Sequence, residues 1–79
     1  MATYMFEVYY SVPANPEKEA NITARVSDFG GWLDYREEPD ASQSVCLTYE
    51  FDDFEQARLS ASGLRGQGEY IEGPSLYSD

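Results

Sequence analysis

Carboxylates are the plentiful reactive side chains of this sequence, with fifteen Asp and Glu against five Lys and Arg. Histidine is absent and cysteine occurs once, as Cys46. Without histidine the chain lacks the commonest general base near neutrality and the commonest transition-metal ligand. A Cys–His nucleophilic pair cannot form, and zinc sites of Cys/His type lack their ligands. Glu7, Asp34, Glu50 and Glu72 could together offer oxygen ligands to Ca²⁺ or Mg²⁺, but no Asp-rich loop of EF-hand spacing accompanies them. The glycine clusters GGWL, GLRGQG and EGPS fail the spacing of a phosphate loop or lack its lysine. DFGG at residues 28–31 reads as a helix end, since no other kinase element accompanies it. The expectation is therefore a non-enzymatic chain with no metal and no cofactor.

The elements that would position these groups follow from periodicity. Val45, Leu47, Tyr49 and Phe51 share one face at the period of two that a pleated strand imposes, with Cys46, Thr48 and Glu50 on the other. A helix follows at once: Asp52 or Asp53 can cap it, Asp52 and Glu55 have capping-box spacing, and Phe54, Ala57, Ala61 and Leu64 form its apolar stripe. Arg65 suits the negative end of the helix dipole, and Gly66 is expected as a left-handed cap.

The first half repeats this grammar. Thr3 to Val12 reads as a strand with Tyr4, Phe6, Val8, Tyr10 and Val12 on one face and Met5, Glu7, Tyr9 and Ser11 on the other. Pro13 ends it, and Asn15-Pro16-Glu17 starts a helix by capping, fixed φ and an early acid. Ile22, Val26 and Phe29 form its stripe, and Gly30-Gly31 stops it. Trp32 to Glu38 is read as a second strand with Leu33 and Tyr35 inward and Trp32, Asp34 and Arg36 outward. Residues 39–43 have turn composition of hairpin-loop length. Glu69 to Glu72 is read as a short last strand with Ile71 inward and Tyr70 and Glu72 outward, broken by Gly73-Pro74. The tail from Ser75 to Asp79 either packs through Leu76 or Tyr77 or frays.

The order is β-α-β-β-α-β in one domain spanning residues 1–79. Two right-handed crossovers place the first and third strands at the centre of a four-stranded antiparallel sheet, with both helices on one face. This α+β architecture resembles the ferredoxin-like, or α/β-plait, fold over essentially the whole chain. The resemblance rests on element order, so it implies a fold and no particular family. Four cysteines for an iron–sulfur cluster are lacking, which removes the activity that names the fold.

In a plait the face away from the helices meets water or a partner. Glu7, Tyr9, Trp32, Asp34, Arg36, Glu50, Tyr70 and Glu72 are expected there, and Tyr, Trp and Arg are enriched at interface cores. RNA-recognition modules use this face through aromatic and basic residues of the central strands. Here the third strand offers Cys46, Thr48 and Glu50, and the net charge of −10 opposes phosphate and anionic membrane alike. No nucleic acid and no membrane is therefore expected as a direct partner.

The leading expectation is a small acidic binding or regulatory module, acting on a protein partner or on a second copy as a homodimer. One alternative is an inhibitor that imitates nucleic acid, with Glu37, Glu38, Asp40, Asp52 and Asp53 presented to a basic groove. Another is a small-molecule sensor or minor enzyme with a pocket in the plait. A single cysteine allows no internal disulfide, and the opening MATYMFEVYY has neither a basic leader nor a long apolar core. The cytoplasm is the expected location.

Overall fold

In a computed structural model, described over residues 1–38 and 44–79, the elements are β1 Thr3–Ser11, α1 Pro16–Ser27, β2 Trp32–Glu37, β3 Ser44–Phe51, α2 Phe54–Gly66 and β4 Tyr70–Ser78. The turn expected over residues 39–43 lies outside the described residues. The strands form one antiparallel sheet in the order β2-β3-β1-β4, so β1 and β3 are central and β2 and β4 are the edges. Element order and sheet topology are those of a ferredoxin-like plait.

Alternation in β1 and β3 sends Phe6, Val8, Val45, Leu47, Tyr49 and Phe51 into the core, where they meet Ile22 and Val26 of α1 and Ala57, Ala61 and Leu64 of α2. Phe6 packs against the rings of Phe51 and Tyr49 at centroid distances of 5.2 and 5.9 Å. The one phenol in this core finds a partner, since the Tyr49 and Thr23 hydroxyls lie 2.7 Å apart, as a buried polar group requires. Gly31 is needed for close approach: a Cβ there would fall 2.5 Å from the Phe51 ring and 2.6 Å from Val26.

Helix starts match the cap chemistry. The Asn15 side chain accepts from the Lys18 amide at 3.0 Å and that of Asp53 from the Gln56 amide at 2.9 Å. Of the two acids expected to cap α2, Asp53 does so. The end of α2 differs from expectation: Gly66 is the last helical residue, and the left-handed position is Gly68, at φ +100°. Phe54 also leaves the expected stripe. It is half exposed and meets Tyr4 edge-on at 5.4 Å.

Three irregularities change the edges, one in β2 and two in β4, the outermost at Tyr77 between the Tyr4–Leu76 and Thr3–Ser78 pairs. In β2, Leu33 pairs with Tyr49 but Tyr35 pairs with Thr48, so Asp34 is an extra residue and the parity beyond it is inverted. Tyr35 therefore faces away from the helices and Arg36 toward them, the reverse of the expected alternation. In β4, Gly73-Pro74 does not end the strand. Glu7 pairs with Glu72 and Met5 with Ser75, so two residues of β4 span one of β1 and the strand runs on to Ser78. An edge strand tolerates proline because its outward N–H has no ladder partner to lose. Arg65 satisfies the carbonyls at this bulge, donating from Nη2 to Ile71 O at 3.0 Å and Gly73 O at 2.8 Å. Among the described residues no helix is long and apolar enough to cross a membrane.

Candidate interaction face

The sheet face opposite the helices is assembled by cross-strand pairs, whose side chains share a side. Met5 lies beside Glu50, Glu7 beside Thr48, and Tyr9 beside Cys46 on the β1–β3 ladder. Tyr9 also pairs with Tyr70 and Glu7 with Glu72. Trp32 pairs with Glu50, Tyr35 with Thr48, and Glu37 with Cys46. Glu7, Tyr9, Trp32, Glu50, Tyr70 and Glu72 thus share this side of the sheet, and Asp34, which has no partner on β3, is tied to Tyr77 of β4.

Arg36 does not join them. Turned to the helix side by the extra Asp34, it forks onto Glu19 of α1, Nε to Oε1 at 2.7 Å and Nη2 to Oε2 at 3.0 Å, and reaches Glu38 at 2.9 Å. The Tyr10 hydroxyl donates to the same Glu19 carboxylate and accepts from the Asn15 amide at 2.8 Å. Arg36 holds the Glu19 carboxyl below the usual carboxylate range, against the opposing effect of burial and with help from Tyr10.

The remaining bases also lie off the face. Lys18 and Arg25 are on α1, with Lys18 paired to Glu69 at 3.1 Å. Arg58 and Arg65 are on α2, where Arg58 pairs with Glu55. The chain has five Lys and Arg in all, so the open face carries no side-chain cation. Among the described residues its charges are Glu7, Asp34, Glu37, Glu50 and Glu72.

At the centre of this face Thr48 and Cys46 are only 6% and 8% exposed, covered by flanking side chains. The Cys46 thiol lies 3.7 Å from Glu7 Oε2 and donates to it. Burial first, and the nearby Glu7 carboxylate with it, push the thiol above its ordinary range. The Tyr9 phenol is pushed up as well, chiefly by burial and then by Cys46. A thiol held protonated is a poor nucleophile and a poor metal ligand. Among the described residues no three Cys, Asp or Glu side chains are grouped to hold a metal ion.

The rim is aromatic. Trp32, Tyr35, Tyr70 and Tyr77 are exposed, Tyr35 and Tyr70 by about three-fifths. Tyr70 donates to Glu72 at 3.2 Å, and Tyr77 donates to Asp34 at 2.8 Å. Tyr35, Glu37 and Tyr77 were not anticipated here. Asp34, a poor strand residue in the middle of β2, was the available signal for the first two; nothing before Gly73-Pro74 announced the third.

Compared with known protein families, curated proteins and solved structures, the chain matches none. The face must be read from its own chemistry.

Proposed function

We propose that the chain is a small non-enzymatic binding module whose open sheet face docks a basic protein partner. The observation that carries this reading is the sorting of charge. Every Lys and Arg lies in the helical layer or is turned toward it, while the charges on the other side are carboxylates set among aromatic rings. Exposed Trp and Tyr rings attract Lys and Arg through the negative faces of their π systems, and carboxylates beside them add charge-assisted hydrogen bonds. Face-to-face pairing of two copies would oppose acid to acid, so a partner of the opposite sign fits better than a homodimer. Imitation of nucleic acid fits less well, because rings interrupt the carboxylates rather than leaving rows of charge. The protonated, covered Cys46 supports binding over catalysis, and a lone free thiol suits a reducing cytoplasm.

The test is affinity capture from the native host with three baits: the wild type, a face variant (Trp32→Ala, Glu50→Gln, Tyr70→Ala) and a helix-side variant (Arg25→Ala). The expected partner is basic, is retained by the wild type and by Arg25→Ala, is lost with the face variant, and elutes as salt rises. A partner held equally by all three baits would overturn the assignment of the face. A metabolite that raises the melting temperature would instead favour a ligand sensor.

A further inference from the structure

At one end of the open face a cleft of about 340 Å³ is lined by Tyr9, Tyr10, Ser11, Ser44, Tyr70 and Glu72. We infer that this cleft receives an arginine side chain of the partner, laid against the exposed ring of Tyr70 and hydrogen-bonded to Glu72. The inference rests on the reading of the face as a dock for a basic protein and names the group that is read.

The geometry suits a planar cation. The Tyr9 and Tyr70 rings meet edge to face, 6.1 Å between centroids and 71° between planes, so each holds the other in place while Tyr70 keeps about three-fifths of its surface open to a ligand. A guanidinium can lie flat on the open Tyr70 ring while its N–H groups point to the neighbouring Glu72 carboxylate. Glu72 lies beside Tyr70 and accepts from its hydroxyl through Oε2 only, which leaves Oε1 and further lone pairs for an incoming fork. Glu7 stands directly opposite Glu72 across the β1–β4 ladder, and adds a second negative charge behind the first. The chain's one lysine, Lys18, lies 5.7 Å from the centroid of the Tyr10 ring and is matched by Glu69 at 3.1 Å, so its charge is already paired outside the cleft. A lysine ammonium would gain the charge but neither the flat stacking nor the fork.

The test is an NMR titration of the full chain with the peptide acetyl-Gly-Arg-Gly-Arg-Gly-amide, its citrulline analogue and its lysine analogue. The arginine peptide should shift the amides of Tyr9, Ser44, Tyr70 and Glu72. The citrulline peptide, equal in shape but uncharged, should not, and the lysine peptide should bind several-fold more weakly. Tyr70→Ala and Glu72→Gln should each weaken the arginine peptide by roughly tenfold, the loss of one charge-assisted or stacking contact. Arg25→Ala, on the helix side, should leave it unchanged. Tyr70 and Glu72 are exposed, so both variants should keep the wild-type amide spectrum elsewhere.

Shifts confined to the neighbourhood of Trp32 and Glu50 would sink the cleft and leave the basic-partner reading standing. Equal binding of the arginine and citrulline peptides, or of neither, would sink both. Equal binding of the lysine peptide would remove the selectivity for arginine. Movement of the same amides with protein concentration alone would assign the cleft to a second copy.

Discussion

The Tyr77 hydroxyl donates a 2.8 Å hydrogen bond to the Asp34 carboxylate, joining residues 43 apart in sequence that belong to the two opposite edge strands. The bond lies on the open side, near Glu50, and spans the width of the sheet. Its two ends are both products of irregular pairing. Asp34 is the extra residue of β2, and Tyr77 belongs to the part of β4 that continues past the Gly73-Pro74 bulge. The bulge in β2 leaves Asp34 on the open side, and the irregular pairing of β4 brings Tyr77 to the same side, where regular pleating from Glu72 would have turned it away.

Tyr77→Phe removes this tie while keeping the ring. The global melting temperature should move little, because both partners are solvent-accessible and water replaces the lost bond. The outer part of β4 should loosen: amides from Ser75 to Ser78 should exchange with deuterium faster than in the wild type, while those of Val8 and Leu47 in the central strands stay protected. Unchanged exchange over Ser75 to Ser78 would mean that the ladder to β1 alone holds the strand.

Stability should fall at both ends of the pH scale, for different groups. The Glu19 carboxyl titrates below its ordinary value of 4.5 because of Arg36, so it binds its proton more readily in the unfolded chain. Its contribution is complete above pH 4.5 and is lost as pH falls through the lowered folded value. Glu19→Gln should lower stability at neutral pH and flatten this acid limb. Tyr9, Tyr10 and Tyr49 titrate above their ordinary value of 10.0, chiefly because burial disfavours the phenolate. Here the folded chain holds the proton longer, so stability is complete below pH 10 and declines as pH rises beyond it. Urea midpoints measured from acid to alkaline pH should trace a plateau with these two falling limbs, and an alkaline limb that rises would contradict the burial of the phenols.

The centre of the fold was legible in the sequence because β1 and β3 are regular. Phe6 and Val8, or Leu47 and Tyr49, stay on one side at every second residue, and the helices announce themselves by Asn15, Pro16 and Asp53. The edges were not. A period-two reading carries its parity along the whole strand, so one extra residue at Asp34 reversed Tyr35 and Arg36 and everything inferred from them. Gly73-Pro74 looked like a stop because proline lacks a donor; on an edge that donor is not needed, and Arg65, six residues before Ile71, supplies what the carbonyls lack. The face itself was mostly foreseen, but its want of any cation was hidden by the mistaken direction of Arg36.

Three positions in or beside the helices should respond with opposite signs. Ser60 is 2% exposed within α2 and its hydroxyl finds no hydrogen-bond partner among the described residues. Ser60→Ala removes the unpaired group and improves helix propensity, and should stabilise by about 1 kcal/mol. Gly63 lies in the same helix with open space where a Cβ would go, so Gly63→Ala should add about 0.5–1 kcal/mol. Gly31→Ala should cost about 1–3 kcal/mol, because its methyl would strike the buried Phe51 ring and Val26. Thermal denaturation reads all three, at about 4–8 °C per kcal/mol for a domain of this size.

The last prediction concerns Glu7 and Glu72, which stand opposite each other on the β1–β4 ladder. Like charges in this position are destabilising, by roughly 0.2–1 kcal/mol. Glu72→Gln should therefore raise the urea midpoint, and Glu7→Gln should do so to a similar degree, since a glutamine oxygen can still accept from the Cys46 thiol. Because either change removes the same repulsion, the double variant should gain little over each single one, and the double-mutant cycle should report the coupling directly. Raising salt should shrink the gain by screening the pair. The same Glu72→Gln protein should bind an arginine peptide more weakly, so stability and binding should move in opposite directions, as they do where a site retains charge for recognition at a cost in folding. Strictly additive midpoints would show that the two carboxylates do not repel, and a stabilised variant that bound the peptide as well as the wild type would separate Glu72 from recognition.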